Sequence, residues 1–226
     1  MFYLPSDRRR FLRVTGVASA LLMTPRRSEA DELPLTPEQT SGPFYPIPPI
    51  VEQRYNDSDL TRLKEDSPVA EGELLIVSGQ VRDLSGELVP DAVVEIWQTC
   101  HSGRYQHQDD RNTAPLDPNF QYWGRAKVDE KGMYEFLTIR PGKYPGRTLH
   151  IHYQIVAPDR KPLVTQLYFE DRGALNAEDG IYKSLSRAEQ SLVTIPFAAA
   201  TGELPRGRFD IVMGPRGAKG TTPVQP

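Results

Sequence analysis

His150 and His152 are two of only four histidines in the chain. They lie in the run Leu149-His150-Ile151-His152-Tyr153-Gln154-Ile155-Val156. Its β-branched and aromatic residues are those of a strand. Strand side chains alternate faces, so both imidazoles point the same way. Two imidazoles on one face make half of a metal site. Tyr105 and Tyr144, both upstream, could add phenolate oxygens. Hard anionic donors of that kind suit an oxidised ion such as Fe(III) better than a soft or strictly divalent one. Taken alone, His-x-His equally describes a strand with two solvated histidines. The loop Arg140-Pro141-Gly142-Lys143-Tyr144-Pro145-Gly146-Arg147, which delivers a tyrosine and an arginine beside the pair, favours the metal.

The elements that must position these residues read as short strands and tight turns. Strands are expected over 74–82, 92–98, 124–129, 133–139, 149–156, 163–169 and 209–213. A turn is expected over 83–86, and Glu130-Lys131-Gly132 reads as a hairpin turn between its flanking strands. One short helix is expected over 184–192. This spacing predicts an all-β fold, an antiparallel β-sandwich. Residues 31–72, rich in Pro, Asp and Glu, read as a long N-terminal arm with one helical turn near 57–64. The sandwich domain then runs over 73–214, and 215–226 is a loose tail. Trp97, Trp123 and Phe136 read as core. His101 and His107 read as solvated or as supporting groups rather than ligands.

The first 30 residues read as an export signal. Arg8-Arg9-Arg10-Phe11-Leu12-Arg13 fits the twin-arginine pattern, with Asp7 where Ser or Thr is usual. A short apolar stretch over 14–23 and Ser28-Glu29-Ala30, a small-x-small cleavage site, follow. The stretch is too short to span a bilayer. Removing 1–30 takes away six basic and two acidic residues and moves the formal net charge from −3 to −7. Nothing in that balance favours nucleic acid or an anionic membrane. The expectation is a periplasmic or secreted protein, exported already folded and without stable membrane insertion. Cys100 is the sole cysteine, so no internal disulfide is available.

Several motifs in order carry a resemblance to a known family. They are SGQVRDLSGELVPDAVVEIWQTCHSGRYQHQ, APLDPNF, GMYEFLTIRPGKYPGR, LHIHY and LVTQLYFE, with TPEQTSGPFY before them and RFDIV near the end. Together they resemble the intradiol ring-cleavage dioxygenases, and the protocatechuate-cleaving members in particular. That resemblance implies one non-haem Fe(III) per chain, held by Tyr105, Tyr144, His150 and His152. It implies that Tyr144 is the ligand that gives way when substrate chelates. It implies that Arg147 stabilises charge on the substrate ring and that Gln166 orients substrate or supports a ligand. The substrates would be a small aromatic diol, protocatechuate-like, and O2, and the product a cis,cis-muconate. A second copy or a homologous second subunit would be a partner. The chain departs from the protocatechuate enzymes between Tyr144 and His150: the loop is shorter, and Gly146 stands where they carry a tryptophan.

Two other readings compete. A non-catalytic transthyretin-like or carboxypeptidase-regulatory-like module could share GQVRDLSGELVPDAVVEIW, but needs neither HIHY nor the tyrosines. An Fe(II) or Zn site with two histidines and a carboxylate would have to recruit Glu170 or Asp171.

Overall fold

The computed structural model describes residues 32–46 and 57–217. The expected export signal, part of the arm and most of the tail lie outside the described residues. The rest is β-rich. Strands β1 (Leu74–Asp83), β2 (Val93–Trp97), β3 (Trp123–Lys127), β4 (Met133–Ile139), β5 (His150–Val156) and β6 (Leu163–Phe169) come first, and β7 (Thr194–Ile195), β8 (Arg206–Arg208) and β9 (Ile211–Met213) close the chain. One sheet is built on β1, with β4 antiparallel on one side and β8 and β9 parallel along the other. The second has the order β3-β2-β5-β6-β7, antiparallel except for the parallel β6–β7 pair.

Both sheets are therefore mixed rather than purely antiparallel. The parallel pairs arise where the chain returns after a crossover, which strand-by-strand pattern cannot reveal. A second expectation is also corrected. Gly132 N donates to the Asp129 carbonyl and Asp129 N to the Met133 carbonyl, so the Glu130–Gly132 turn forms. Yet it joins strands of different sheets, because β3 pairs with β2 and β4 with β1. The expected helical turn near 57–64 is absent. Asp57 and Asp59 instead accept from the amides two residues on, 3.1 and 2.9 Å away, a local bond that competes with helix. The single expected helix is one of several short ones, over Glu170–Arg172, Gly173–Glu178, Gly180–Ser184 and Arg187–Val193. The last carries a capping box, Ser186 with Glu189.

The core lies between the sheets. β1 alternates buried and half-buried residues along its length. Tyr134 of β4 stacks edge-on against Tyr153 of β5 at 6.2 Å, and Tyr153 meets Phe209 at 5.0 Å. β5 is the central strand of its sheet and is buried on both faces. Ile151, Tyr153 and Ile155 join the core on one face. His150, His152 and Gln154 point to the other. The strand thus carries hydrophobic packing and the histidine pair at once.

Candidate functional site

His150 and His152 are almost fully buried, 3 % and 2 % exposed, so the solvated-strand reading of His-x-His fails. Their Nε2 atoms lie 3.1 Å apart. His150 Nδ1 sits 2.7 Å from the Thr148 carbonyl, which accepts only if Nδ1 carries the proton. That bond leaves Nε2 as a bare lone pair. Burial, reinforced by the charge of Arg147, pushes the His150 pKa down to about 3, and burial with His150 beside it holds His152 well below the usual range. Both rings are neutral donors at ordinary pH. The His152 ring is fixed by stacking, 4.8 Å from the Trp97 indole and nearly parallel to it. The register explains the contact, since Trp97 and His152 are paired across β2 and β5. Trp97 is thus a wall of the site, while Phe136 belongs to the main core.

Two loops bring the tyrosines to the pair. Tyr105 and His107 lie in a loop, not on a regular strand. The Asp110 carboxylate accepts from Tyr105 N at 2.7 Å, and Asn112 Nδ2 donates to the Gly103 carbonyl at 2.8 Å. Tyr144 begins the turn Tyr144-Pro145-Gly146-Arg147, closed by Arg147 N donating to the Tyr144 carbonyl at 3.2 Å. Gly146 has φ +81°, so Pro then Gly occupy the positions a type II turn demands. The departure at Gly146 therefore has a backbone reason. Where the loops meet, a Cβ on Gly142 would overlap the backbone of Gly103, so glycine permits the approach.

The four rings close into one group. Centroid separations are 5.6 Å for Tyr105–Tyr144, 5.7 Å for Tyr144–His150, 4.7 Å for His150–His152 and 6.4 Å for Tyr105–His152. The Tyr105 hydroxyl is buried without a hydrogen-bond partner. Burial, with Tyr144 beside it, raises its pKa well above the usual value, and burial raises Tyr144 against the opposing Arg147 charge. A buried phenol with no partner is costly unless something compensates it. A cation would compensate it, taking electron pairs from the two phenolates and from the Nε2 atoms of the two neutral imidazoles. The 3.1 Å spacing of the nitrogens is compatible with two metal–nitrogen bonds of about 2.0–2.1 Å. Among the described residues no group of three His, Cys, Asp or Glu could hold a metal. Asp171 faces away to Arg140 at 3.3 Å. The tyrosines are the donors that fit.

Arg147 stands beside this group. Its Nη1 is 3.4 Å from His150 Nε2, its Nη2 donates to Gln166 Oε1 at 2.6 Å, and its Nε donates to Asp179 at 2.7 Å. Gln166 is paired with His152 across β5 and β6 and donates to the Thr40 carbonyl at 2.9 Å. Arg147 and Gln166, like Tyr144, thus reach the group of rings. Sequence reasoning missed several others. Tyr168, two residues from Gln166 and so on its face of β6, donates to Gln39 and Gln166; the period-2 rule could have found it. The part of the arm around Gly42 and Phe44 lines the site rather than extending away from it. Phe44 packs on Tyr105, His107 and Tyr144, and a Cβ on Gly42 would sit 3.4 Å from His152 Cε1. His101 lies apart, 3.2 Å from Glu71. A cleft of about 160 Å³ opens beside Arg147, lined also by Lys143, Gly146, Leu175 and Glu178.

Comparison with known proteins identifies the family. A family model described as Dioxygenase matches residues 46–215, and the chain belongs to the intradiol ring-cleavage dioxygenase family. It is 34 % identical to the protocatechuate 3,4-dioxygenase beta chain of Burkholderia cepacia, over 92 % of this chain and 99 % of that one. It is 31 % identical to the hydroxyquinol 1,2-dioxygenase of Nocardioides simplex, over 65 % of this chain and 56 % of that one. Among solved structures, the dioxygenase domain of a dioxygenase carbohydrate-binding protein fusion from Streptomyces sp. SirexAA-E superposes with a TM-score of 0.60 at 27 % identity, covering 80 % of this chain and 99 % of that domain. The protein is an enzyme of the intradiol dioxygenase type. The non-catalytic module is set aside.

Proposed function

We propose that this enzyme cleaves a catechol-type diol between its two hydroxylated carbons, using O2 and one Fe(III) held by Tyr105, Tyr144, His150 and His152, to give a cis,cis-muconate. The observation that carries the reading is the convergence of two buried neutral imidazoles, 3.1 Å apart at Nε2, with a partnerless buried phenol and a second tyrosine. When bound, the ferric ion would supply chelation of the diol and electrophilic activation of its ring toward O2. The remaining work falls to the protein. Trp97, fully buried, and Phe44, packed against Tyr105, would limit the access of water to the reacting volume. Arg147 offers a fixed positive charge to the oxygen of the ring as negative charge develops there. Gln166 holds that guanidinium and the arm together.

The tyrosines divide the labour by burial. Tyr105 is 3 % exposed and packed among Trp97, Trp123 and Phe44. Tyr144 is half-buried at the end of a surface turn, so it is the one free to move aside for substrate. Tyr105→Phe is expected to lose or loosen iron and change the visible colour. Tyr144→Phe is expected to retain iron while turnover slows. Metal analysis and the visible spectrum of each purified variant check this, and equal iron loss in both would erase the distinction.

The substrate favoured is protocatechuate-like. The B. cepacia relative with which the chain aligns over nearly its whole length is named for that substrate. The cleft is open at Gly146, where an added methyl group would meet no atom within 4 Å, and should also admit other ring substituents. O2 uptake with a panel of catechol, hydroxyquinol, protocatechuate and bulkier diols, with identification of the ring-opening position, tests both statements. Broad turnover with intradiol products is expected. Rejection of every diol but protocatechuate would contradict the open pocket, and a colourless iron-treated protein without O2 uptake would overturn the reading.

Export in folded form by the twin-arginine route, to the periplasm or outside the cell, is proposed from Arg8-Arg9-Arg10-Phe11-Leu12-Arg13 and the short apolar stretch after it. Among the described residues no helix is long and apolar enough to cross a membrane. Because the B. cepacia relative is named as one chain of its enzyme, a second copy or a homologous subunit is the proposed partner.

A further inference from the structure

Asp179 lies outside every motif that marks the site. It precedes the helix Gly180–Ser184 and is 2 % exposed, with its carboxylate fully buried. Its two oxygens have separate tasks. Oδ1 accepts from Ile181 N and Tyr182 N at 2.9 and 3.0 Å and caps the helix. Oδ2 accepts from Arg147 Nε at 2.7 Å and from Thr148 N at 2.9 Å. A guanidinium offers its donors in a rigid fork. With Nε tied to Asp179 and Nη2 tied to Gln166, Nη1 has one direction left, toward His150. The same carboxylate anchors the backbone at Thr148, whose carbonyl holds the His150 ring.

We propose that Asp179 is a positioning residue: it ties the Arg147 guanidinium so that Nη1 faces the His150–His152 pair, and it makes the helix after β6 part of the catalytic framework. This rests on the proposed iron-dependent ring cleavage. Asp179 touches none of the donor rings; it acts on them chiefly through Arg147, with the Thr148 backbone as a second tie to the His150 ring.

Asp179→Asn is the discriminating variant. Its Oδ1 can keep the helix cap, while an amide –NH2 in place of Oδ2 opposes the Arg147 Nε–H and the Thr148 N–H, donor against donor. Asp179→Ser, which retains a capping hydroxyl but cannot reach Arg147, serves if the first variant does not fold. In the metal-free full chain, the Arg147 Nε–H proton is expected to exchange slowly in the parent protein and fast in the variant. In the iron-loaded enzyme, iron content and colour should be unchanged while kcat falls about 10- to 100-fold, the scale of losing an outer supporting partner. In an Arg147→Ala background the same substitution should cost much less in kcat than it does in the parent, because most of its effect runs through Arg147. Fast exchange already in the parent, undiminished kcat in the variant, or losses that multiply in the double variant would each overturn the proposal. A parent enzyme that binds no iron or consumes no O2 would instead overturn the function on which it rests.

Discussion

Replacing His150 or His152 with alanine is expected to leave the protein unable to hold iron and without visible colour. Each substitution removes a neutral nitrogen donor, and among the described residues no third His, Cys, Asp or Glu groups with the pair to take its place. Second-layer partners of metal ligands already cost about 10- to 100-fold in affinity when lost, so the loss of a direct ligand should exceed that. The two variants should also differ in what else they disturb. His150→Ala leaves the Thr148 carbonyl without its donor, while His152→Ala leaves the Trp97 indole without the ring it stacks on. Both rings sit on the face of β5 opposite the core residues Ile151 and Tyr153, so the fold should survive. Metal analysis and the visible spectrum of the folded variants decide the matter. Stoichiometric iron and an intact absorption band in either one would remove that histidine from the ligand set.

Replacing Arg147 with alanine is expected to do the reverse, keeping iron and colour and losing rate. The guanidinium is no donor to a metal. It is a fixed charge beside the four donor rings, held at three corners by Asp179, Gln166 and the approach to His150. Losing one preorganised charge stabiliser costs roughly 2–4 kcal/mol in the barrier, or about 30- to 800-fold in rate. The loss should appear in kcat as well as in kcat/KM, because the charge it answers develops after substrate has bound. The variant also leaves the Asp179 carboxylate buried without its cation, so stability should fall. The surviving bonds from Thr148, Ile181 and Tyr182 to that carboxylate limit the fall. Steady-state kinetics on iron-matched samples measure the effect. Unchanged turnover would leave Arg147 as a structural cation of the loop.

Much of this protein was legible as sequence because the relevant signals are local. The alternation in Leu149–Val156 is a property of a single strand, so the shared face of His150 and His152 followed from it directly. The strands over Met133–Ile139 and Leu163–Phe169 were placed residue for residue for the same reason. The loop over 140–147 was legible as the segment that brings Tyr144 and Arg147 beside the histidines, because it precedes their strand directly.

The amino-acid order was thus enough for the period of most strands and for the family. Which strands meet was settled by folding. Glu130-Lys131-Gly132 announces a turn but carries no instruction about partners, and β3 and β4 part into different sheets, β3 pairing with β2 and β4 with β1. The parallel placement of β8 and β9 on β1, and the approach of Thr40 to Gln166 and of Gly42 to His152, are likewise contacts across more than a hundred positions of chain. Asp179 is the plainest case. It reads locally as a helix cap, and its second oxygen acquires a role only because Arg147, 32 residues earlier, is folded against it. Hydrogen bonding of that kind depends on position in space, and sequence spacing encodes it only within a single element.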